Sequence, residues 1–173
     1  PINSEIFSDY DTYTLRHLFQ LPRIGSFSLT TRALFLDFLV GWLILIPLVG
    51  IETFEGIACS PAALTELSNV DLDFLTLFTL LLYVSILTPI VEEVVFRGFV
   101  LDVASERYGD WMSIFISAFL FAIIHVEAVS VVNAFIGGLI YGYVRIRTGS
   151  LWPSIFLHFA WNTHLYLIMI LCI

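Results

Sequence analysis

The 173-residue chain is 59% hydrophobic and 13% charged, with a formal net charge of −8 and a mean hydropathy of +0.95. A soluble domain is typically about 45–50% apolar, so this composition excludes a soluble domain and indicates a membrane protein. The seven basic residues are all Arg and form no patch, which argues against nucleic acid as a partner. Cys59 and Cys172 lack the spacing of a disulfide framework or a thiolate metal site.

Five apolar segments follow a polar start and predict an all-α, polytopic transmembrane helical bundle. Residues 1–32 mix charged residues with Pro, Gly and aromatics, which predicts a lead-in at the membrane surface. Residues 33–173 form the predicted transmembrane domain. Pro89, inside the second segment, predicts a bend there. The predicted spans are 33–50, 74–104, 111–126, 131–144 and 151–173, with an acidic loop at 51–73.

The positions of the arginines predict the orientation of these spans. One group precedes the first span, one lies near the end of the second, and one follows the fourth: Arg16, Arg23, Arg32, Arg97, Arg107, Arg145 and Arg147. With five spans the three groups lie on one side, which the Lys/Arg bias marks as cytoplasmic. We therefore expect a multi-pass protein of a bacterial-type plasma membrane, in contact with lipid, whose site is accessible from the cytoplasm.

The central feature of the sequence is the segment Val91-Glu92-Glu93-Val94-Val95-Phe96-Arg97 inside the second apolar run. On a helix, Glu93 and Arg97 are four residues apart and share a face, whereas Glu92 lies about 100° round from Glu93. Glu93 and Arg97 are therefore predicted to pair, which leaves Glu92 free. Ionisable groups at membrane depth are functional-site hypotheses by default.

Two more pairs with four-residue spacing, Phe121 with His125 and His158 with Asn162, occur in the third and fifth spans. Counted from the predicted cytoplasmic end of each span, Glu92, His125 and His158 lie at depths of ~18, ~21 and ~10 Å, so we expect them to meet in a middle layer. A desolvated carboxylate is a usable general base, and imidazole or amide N–H groups can stabilise an oxyanion. This set predicts amide hydrolysis by activated water.

A metal site is the alternative chemistry for these residues. Glu92, His125 and His158 could hold zinc as two imidazoles and a carboxylate. We weigh this alternative lower, because the two histidines come from separate helices without a short ligand motif. The favoured prediction requires no cofactor.

The order Glu-Glu-x-x-x-Arg, Phe-x-x-x-His and His-x-x-x-Asn on hydrophobic helices resembles the CPBP (Abi) family of intramembrane proteases, which includes the type II CAAX prenyl endopeptidases. The resemblance covers residues 74–166, more than half of the chain. Both a glutamate mechanism without metal and a metalloprotease mechanism are attributed to this family. Its members usually have more than five spans, so we expect further sequence before Pro1.

The resemblance implies four catalytic residues: Glu92, His125, His158 and Asn162. Glu92 would activate water with His125 as its partner, and His158 with Asn162 would stabilise the oxyanion. Glu93 and Arg97 would support the site. Outside this set, we interpret Asp37 as a carboxylate that reaches the interface, and His164 and Asn133 as structural groups.

These observations predict an intramembrane endopeptidase that cleaves a peptide bond with glutamate-activated water. Its substrate would be a peptide or a prenylated protein, and CAAX-type processing is one candidate reaction. The alternative from another class is a non-enzymatic membrane scaffold or a bacteriocin-immunity protein that uses the same polar network.

Overall fold

The computed structural model describes residues 18–23, 25–49, 73–126 and 128–171, and these ranges contain five helices. They are α1 Ser26–Val49, α2 Phe74–Tyr108, α3 Asp110–Ile123, α4 Ala128–Thr148 and α5 Trp152–Leu171. No β-strand occurs in these ranges, so the predicted all-α class is confirmed. The predicted acidic loop at 51–73, except its last residue, and the first 17 residues lie outside the described part.

Helix α1 begins at Ser26, inside the segment that was predicted to be a lead-in, so the helix starts seven residues before the predicted membrane span at Ala33. The hydroxyl of Thr30 donates to the carbonyl of Ser26, and that of Thr31 donates to the carbonyl of Phe27, both at 2.9 Å. Both bonds run along the helix, which lets polar threonines continue its first turns.

The rest of the described lead-in packs against the end of the bundle. The amide N–H of Leu151 donates to the Leu18 carbonyl at 3.0 Å, and the Ser150 hydroxyl donates to the Gln20 carbonyl at 2.7 Å. The buried Leu18 side chain packs with Leu151 and Ile155. Residues 18–20 therefore pack on the turn between α4 and α5 and hold it by hydrogen bonds.

Helix α2 runs without interruption from Phe74 to Tyr108, past the predicted end near Ala104. Asp73 caps its start by accepting from the Thr76 amide at 2.8 Å, and this bond holds the pKa of the Asp73 carboxyl below its usual value. Gly109, with φ of 75°, ends the helix because this backbone conformation suits glycine.

The proline in α2 does not end the helix. A π-helical segment, Leu82–Leu87, directly precedes the turn that contains Pro89, and the Thr88 amide bonds to the Tyr83 carbonyl five residues earlier. A second π-helical segment, Val94–Val100, follows the two glutamates. Such π-helical turns are frequent at functional sites.

Close helix packing surrounds the middle of α2. A Cβ placed on Gly138 of α4 would lie 3.0 Å from the Ala118 backbone of α3, and one on Gly142 would lie 3.2 Å from the Ile114 side chain. The small residues of α4 therefore let α3 approach closely. Helix α5 lies antiparallel to α2, where the Tyr166 hydroxyl donates to the Leu77 carbonyl at 2.6 Å.

The outer surface of the bundle suits lipid. Helices α2 and α4 are long and apolar enough to cross a membrane, and α3 is a shorter apolar helix. Large apolar side chains cover the outside, among them Phe99, Trp111, Phe115 and Phe119. The protein is thus a helical membrane bundle.

The two adjacent glycines of α4 provide a test of this packing. Gly→Ala in a helix gains about 1 kcal/mol of intrinsic propensity, and a Cβ on Gly137 would meet only ordinary contacts at 3.4 Å or more. We expect Gly137→Ala to stabilise the protein and Gly138→Ala to lose this gain to overpacking, which typically costs about 1–3 kcal/mol. Unfolding in SDS measures both variants. A Gly138→Ala protein as stable as Gly137→Ala would contradict the packing of α3 on α4.

Candidate active site

A buried ion pair lies at the centre of the bundle. The Nη1 atom of Arg97 donates to Oε1 of Glu93 at 2.9 Å, and both side chains are fully buried. The Arg97 guanidinium lies 4.3 Å from the centroid of the Phe121 ring and 5.4 Å from that of Tyr141. Two aromatic faces therefore contribute cation–π attraction to a desolvated cation. The structure confirms the predicted pairing of Glu93 with Arg97.

His158 of α5 contacts both glutamates. Its Nδ1 atom lies 3.0 Å from Oε1 of Glu93, and its Nε2 atom lies 3.4 Å from Oε2 of Glu92. One imidazole reaches both carboxylates because adjacent residues of α2 diverge by about 100°. Both ring nitrogens can donate only when the imidazole is protonated. His158 therefore links the ion pair to the second glutamate.

Glu92 is the more accessible of the two glutamates. Its side chain is 22% exposed, whereas that of Glu93 is fully buried. Within the described ranges, its short side-chain contact is with His158, and no hydrogen bond or ion pair joins Glu92 to His125. The partner of Glu92 in this conformation is thus His158, where the resemblance implied His125.

His125 follows the end of α3 and is fixed by the backbone of that helix. Its Nδ1 atom lies 3.0 Å from the Phe121 carbonyl, and its ring packs edge-on against the Phe121 ring at 5.0 Å. In the tautomer that donates from Nδ1, Nε2 is an acceptor. The predicted Phe121–His125 pair therefore has a physical role, which is to orient the imidazole.

A cavity of about 100 Å³ lies between α1, α3, α4 and α5. Its polar lining includes three of the predicted site residues, namely His125, His158 and Asn162, and also Asn133. Glu92 does not line this cavity but contacts the Nε2 atom of His158, which does. The structure therefore brings three predicted residues around one polar space and connects the fourth through an imidazole.

Asn162 also supports the proline-containing part of α2. Its Nδ2 atom donates to the Val84 carbonyl at 3.0 Å. Val84 lies five residues before Pro89, which has no N–H to offer the preceding turn. One N–H of the Asn162 amide thus satisfies a helix carbonyl, while the second remains for the cavity.

The sequence interpretation of Asp37 is wrong. Asp37 is only 5% exposed, lines the cavity, and accepts a hydrogen bond from the Tyr141 hydroxyl at 2.8 Å. The sequence contains a pattern that could have predicted the buried position of Asp37. Ala33 and Gly41 are small residues four positions before and after it, and the structure buries all three. Three such positions lie on one helix face, which faces the core here.

The described residues contain no group of three or more His, Cys, Asp or Glu side chains arranged to hold a metal ion. In this conformation Glu92, His125 and His158 do not form the ligand set considered above for zinc. Metal dependence stays a prediction for experiment.

The fold and the site together define a class: a helical membrane protein with a buried carboxylate–histidine cluster beside a polar cavity. The chain belongs to the Rce1-like family of type II CAAX prenyl endopeptidases, whose sequence model matches residues 74–164. This match includes both glutamates, Arg97, and the residues of the candidate site on α3 and α5.

Two curated bacterial proteins are similar to the chain. The Escherichia coli protein named "Uncharacterized 24.3 kDa protein" is 33% identical over 103 residues, which are 57% of this chain and 44% of that protein. The Bacillus subtilis (strain 168) protein named "Putative membrane peptidase YdiL" is 28% identical over 100 residues, 57% of this chain and 41% of that protein. The matched region spans less than half of either relative. No solved structure matches the chain.

The buried pair predicts an asymmetric response to mutation. Removal of one partner of a buried ion pair typically costs about 3–5 kcal/mol, because the remaining charge is left uncompensated. We expect Arg97→Met to destabilise the protein by about this amount, and the double variant Glu93→Gln/Arg97→Met to recover part of the loss. Unfolding in SDS measures both, with the exposed Arg107→Met on the same helix as the control. A double variant no more stable than Arg97→Met would contradict the pairing.

Proposed function

We propose that the protein is an intramembrane endopeptidase in which Glu92 acts as the general base that activates water. The observation that carries this proposal is the 3.4 Å contact between Glu92 and His158, inside a bundle whose family is described as endopeptidases. Glu92 remains 22% exposed, and in this proposal the attacking water binds at the exposed part of its carboxylate. A carboxylate held by an imidazole in a desolvated site is suited to general-base chemistry.

The hydrolytic step requires one proton transfer in each direction. Glu92 takes a proton from water as the oxygen attacks the carbonyl carbon of the peptide bond. The carbonyl oxygen becomes the oxyanion of a tetrahedral intermediate. Protonated Glu92 then gives its proton to the leaving amine as the C–N bond breaks. The products are a carboxylic acid and an amine, and Glu92 is again ionised.

The other site residues have distinct roles in this proposal. His158 holds Glu92 through Nε2, and the second N–H of Asn162 stabilises the oxyanion. His125 accepts a hydrogen bond from the attacking water through Nε2. Glu93 and Arg97 fix His158 through the bond at Nδ1. This mechanism assigns no step to a metal.

The proposed substrate is a peptide segment presented at the membrane. The family description favours a prenylated protein with a C-terminal CAAX sequence as one candidate. The arginine distribution favours access from the cytoplasmic side of a multi-pass bundle. Two assay substrates separate the options: a farnesylated peptide with a CAAX terminus, and the same peptide without the prenyl group.

Substitution of Glu92 is the first test of the mechanism. We expect Glu92→Gln to lower kcat by at least about 10²-fold, since removal of a general base typically costs about 10²–10⁴-fold, with little change in thermal stability. Mass spectrometry of the released peptide measures cleavage. The control is Glu106→Gln, which removes an exposed carboxylate near the end of the same helix.

Two outcomes would contradict the proposed mechanism or the proposed endopeptidase activity. Near wild-type cleavage by Glu92→Gln would remove Glu92 from the mechanism. Absence of cleavage of both peptides by the purified wild-type protein, with or without added zinc, would favour the non-enzymatic scaffold or immunity protein.

Histidine substitutions provide a second test. We expect His125→Ala to lower kcat/KM by about 10²-fold or more, because a group that orients the reacting water is lost. The control is His164→Ala, because the His164 ring contacts the rings of Phe38 and Trp42 and His164 does not line the cavity. Initial rates on the peptide that the wild type cleaves measure both. Equal losses in the two variants would contradict a specific role for His125.

A further inference from the structure

Helix α1 contributes a carboxylate to the cavity although it lies outside the family match at 74–164. Asp37 is buried, and its Oδ2 atom accepts the hydrogen bond of the Tyr141 hydroxyl at 2.8 Å. A desolvated carboxylate in a membrane bundle is costly. The mechanism above gives it no role.

Tyr141 connects this carboxylate to the candidate active site. Its ring stacks on the His158 ring with centroids 5.5 Å apart and an interplanar angle of 28°. The Arg97 guanidinium also lies over the Tyr141 ring, 5.4 Å from its centroid. A shift of the Tyr141 ring would therefore change the packing against His158 and the orientation of the His158 ring.

The orientation of the His158 ring determines both of its contacts. The N–H directions of an imidazole lie in the ring plane, so one tilt moves Nδ1 relative to Glu93 and Nε2 relative to Glu92 at the same time. The contact to Glu92, at 3.4 Å, is the longer of the two, so a small tilt of the ring would move it beyond hydrogen-bonding distance first. A neighbour that fixes the ring plane therefore fixes the alignment of the proposed general base.

We propose that Asp37 and Tyr141 are positioning residues, which hold the His158 ring in the plane that aligns Nε2 with Glu92. The proposal rests on the function proposed above. The Asp37 carboxylate fixes the Tyr141 hydroxyl, and the tyrosine ring in turn supports one face of His158. Neither residue exchanges a proton with the substrate. Helices α1 and α4 thus support a site whose proposed catalytic groups come from α2, the end of α3, and α5.

The first experiment reads His158 directly and does not depend on activity. Protein with ¹⁵N-labelled histidine is prepared in detergent micelles, and the His158 ring signals are assigned by their loss in His158→Asn. We expect Tyr141→Phe and Asp37→Ala to shift or broaden these signals. Asp37→Asn keeps an acceptor oxygen for the hydroxyl and should stay close to wild type. The control is Thr30→Val, which removes a hydroxyl bonded within α1 itself.

The second experiment measures kcat and KM for the same variants on the peptide that the wild type cleaves. We expect Tyr141→Phe and Asp37→Ala to lower kcat by about 10-fold or more while KM stays near the wild-type value. The double variant should lose no more than either single variant, because both act through one contact. Asp37→Asn and Thr30→Val should retain most of kcat.

The outcomes separate this proposal from the proposed function. Unchanged His158 signals in Tyr141→Phe and Asp37→Ala would overturn the positioning role even if Glu92→Gln is inactive. Shifted signals with unchanged kcat would also overturn it. If Asp37→Ala does not fold, the comparison of Tyr141→Phe with Asp37→Asn decides. Absence of cleavage by the wild-type protein would contradict the proposed endopeptidase function. The His158 ring signals would still test whether Asp37 and Tyr141 position His158.

Discussion

The structure depends on compensation of the charge of Arg97, which is fully buried in the middle of the bundle. Glu93 supplies the counter-charge one helical turn away, and the rings of Phe121 and Tyr141 cover the guanidinium. The two rings come from α3 and α4, and His158 of α5 binds the same Glu93 oxygen. Residues of four helices, α2 to α5, therefore surround this one desolvated ion pair. A single helix facing lipid could not compensate the charge in this way.

The same arrangement separates two adjacent glutamates into different environments. Glu93 pairs with Arg97 and contacts His158 Nδ1, whereas Glu92 stays partly exposed and contacts His158 through Nε2. Local helix geometry produces this difference, since neighbouring residues point in different directions. Directly after Glu93, α2 continues as the π-helical segment that begins at Val94, and such segments are frequent at functional sites. One carboxylate is thus fully buried and paired, and the other stays partly exposed, which suits the general-base role proposed for Glu92.

The parts of the site that the sequence could predict are those encoded by local spacing. The Glu93–Arg97 pair and the orientation of His125 by residue 121 follow from four-residue periodicity in a helix. The choice of His158 as the partner of Glu92 could not be predicted, because it depends on how α5 packs on α2. Asp37 was placed at the interface because its depth was counted from a helix start at Ala33. The helix starts at Ser26, which moves this carboxylate deeper into the bundle.

The central claim is that Glu92 activates water and does not itself attack the peptide. A single turnover in H₂¹⁸O, with enzyme in excess over peptide, tests this claim most directly by mass spectrometry of the new carboxylate. If Glu92 activates water, the first product molecules carry one ¹⁸O atom from solvent. If Glu92 attacks as a nucleophile and water then opens the resulting anhydride at the glutamyl carbon, the first products instead carry an unlabelled oxygen from the Glu92 carboxylate and the label enters the enzyme, which would contradict the account.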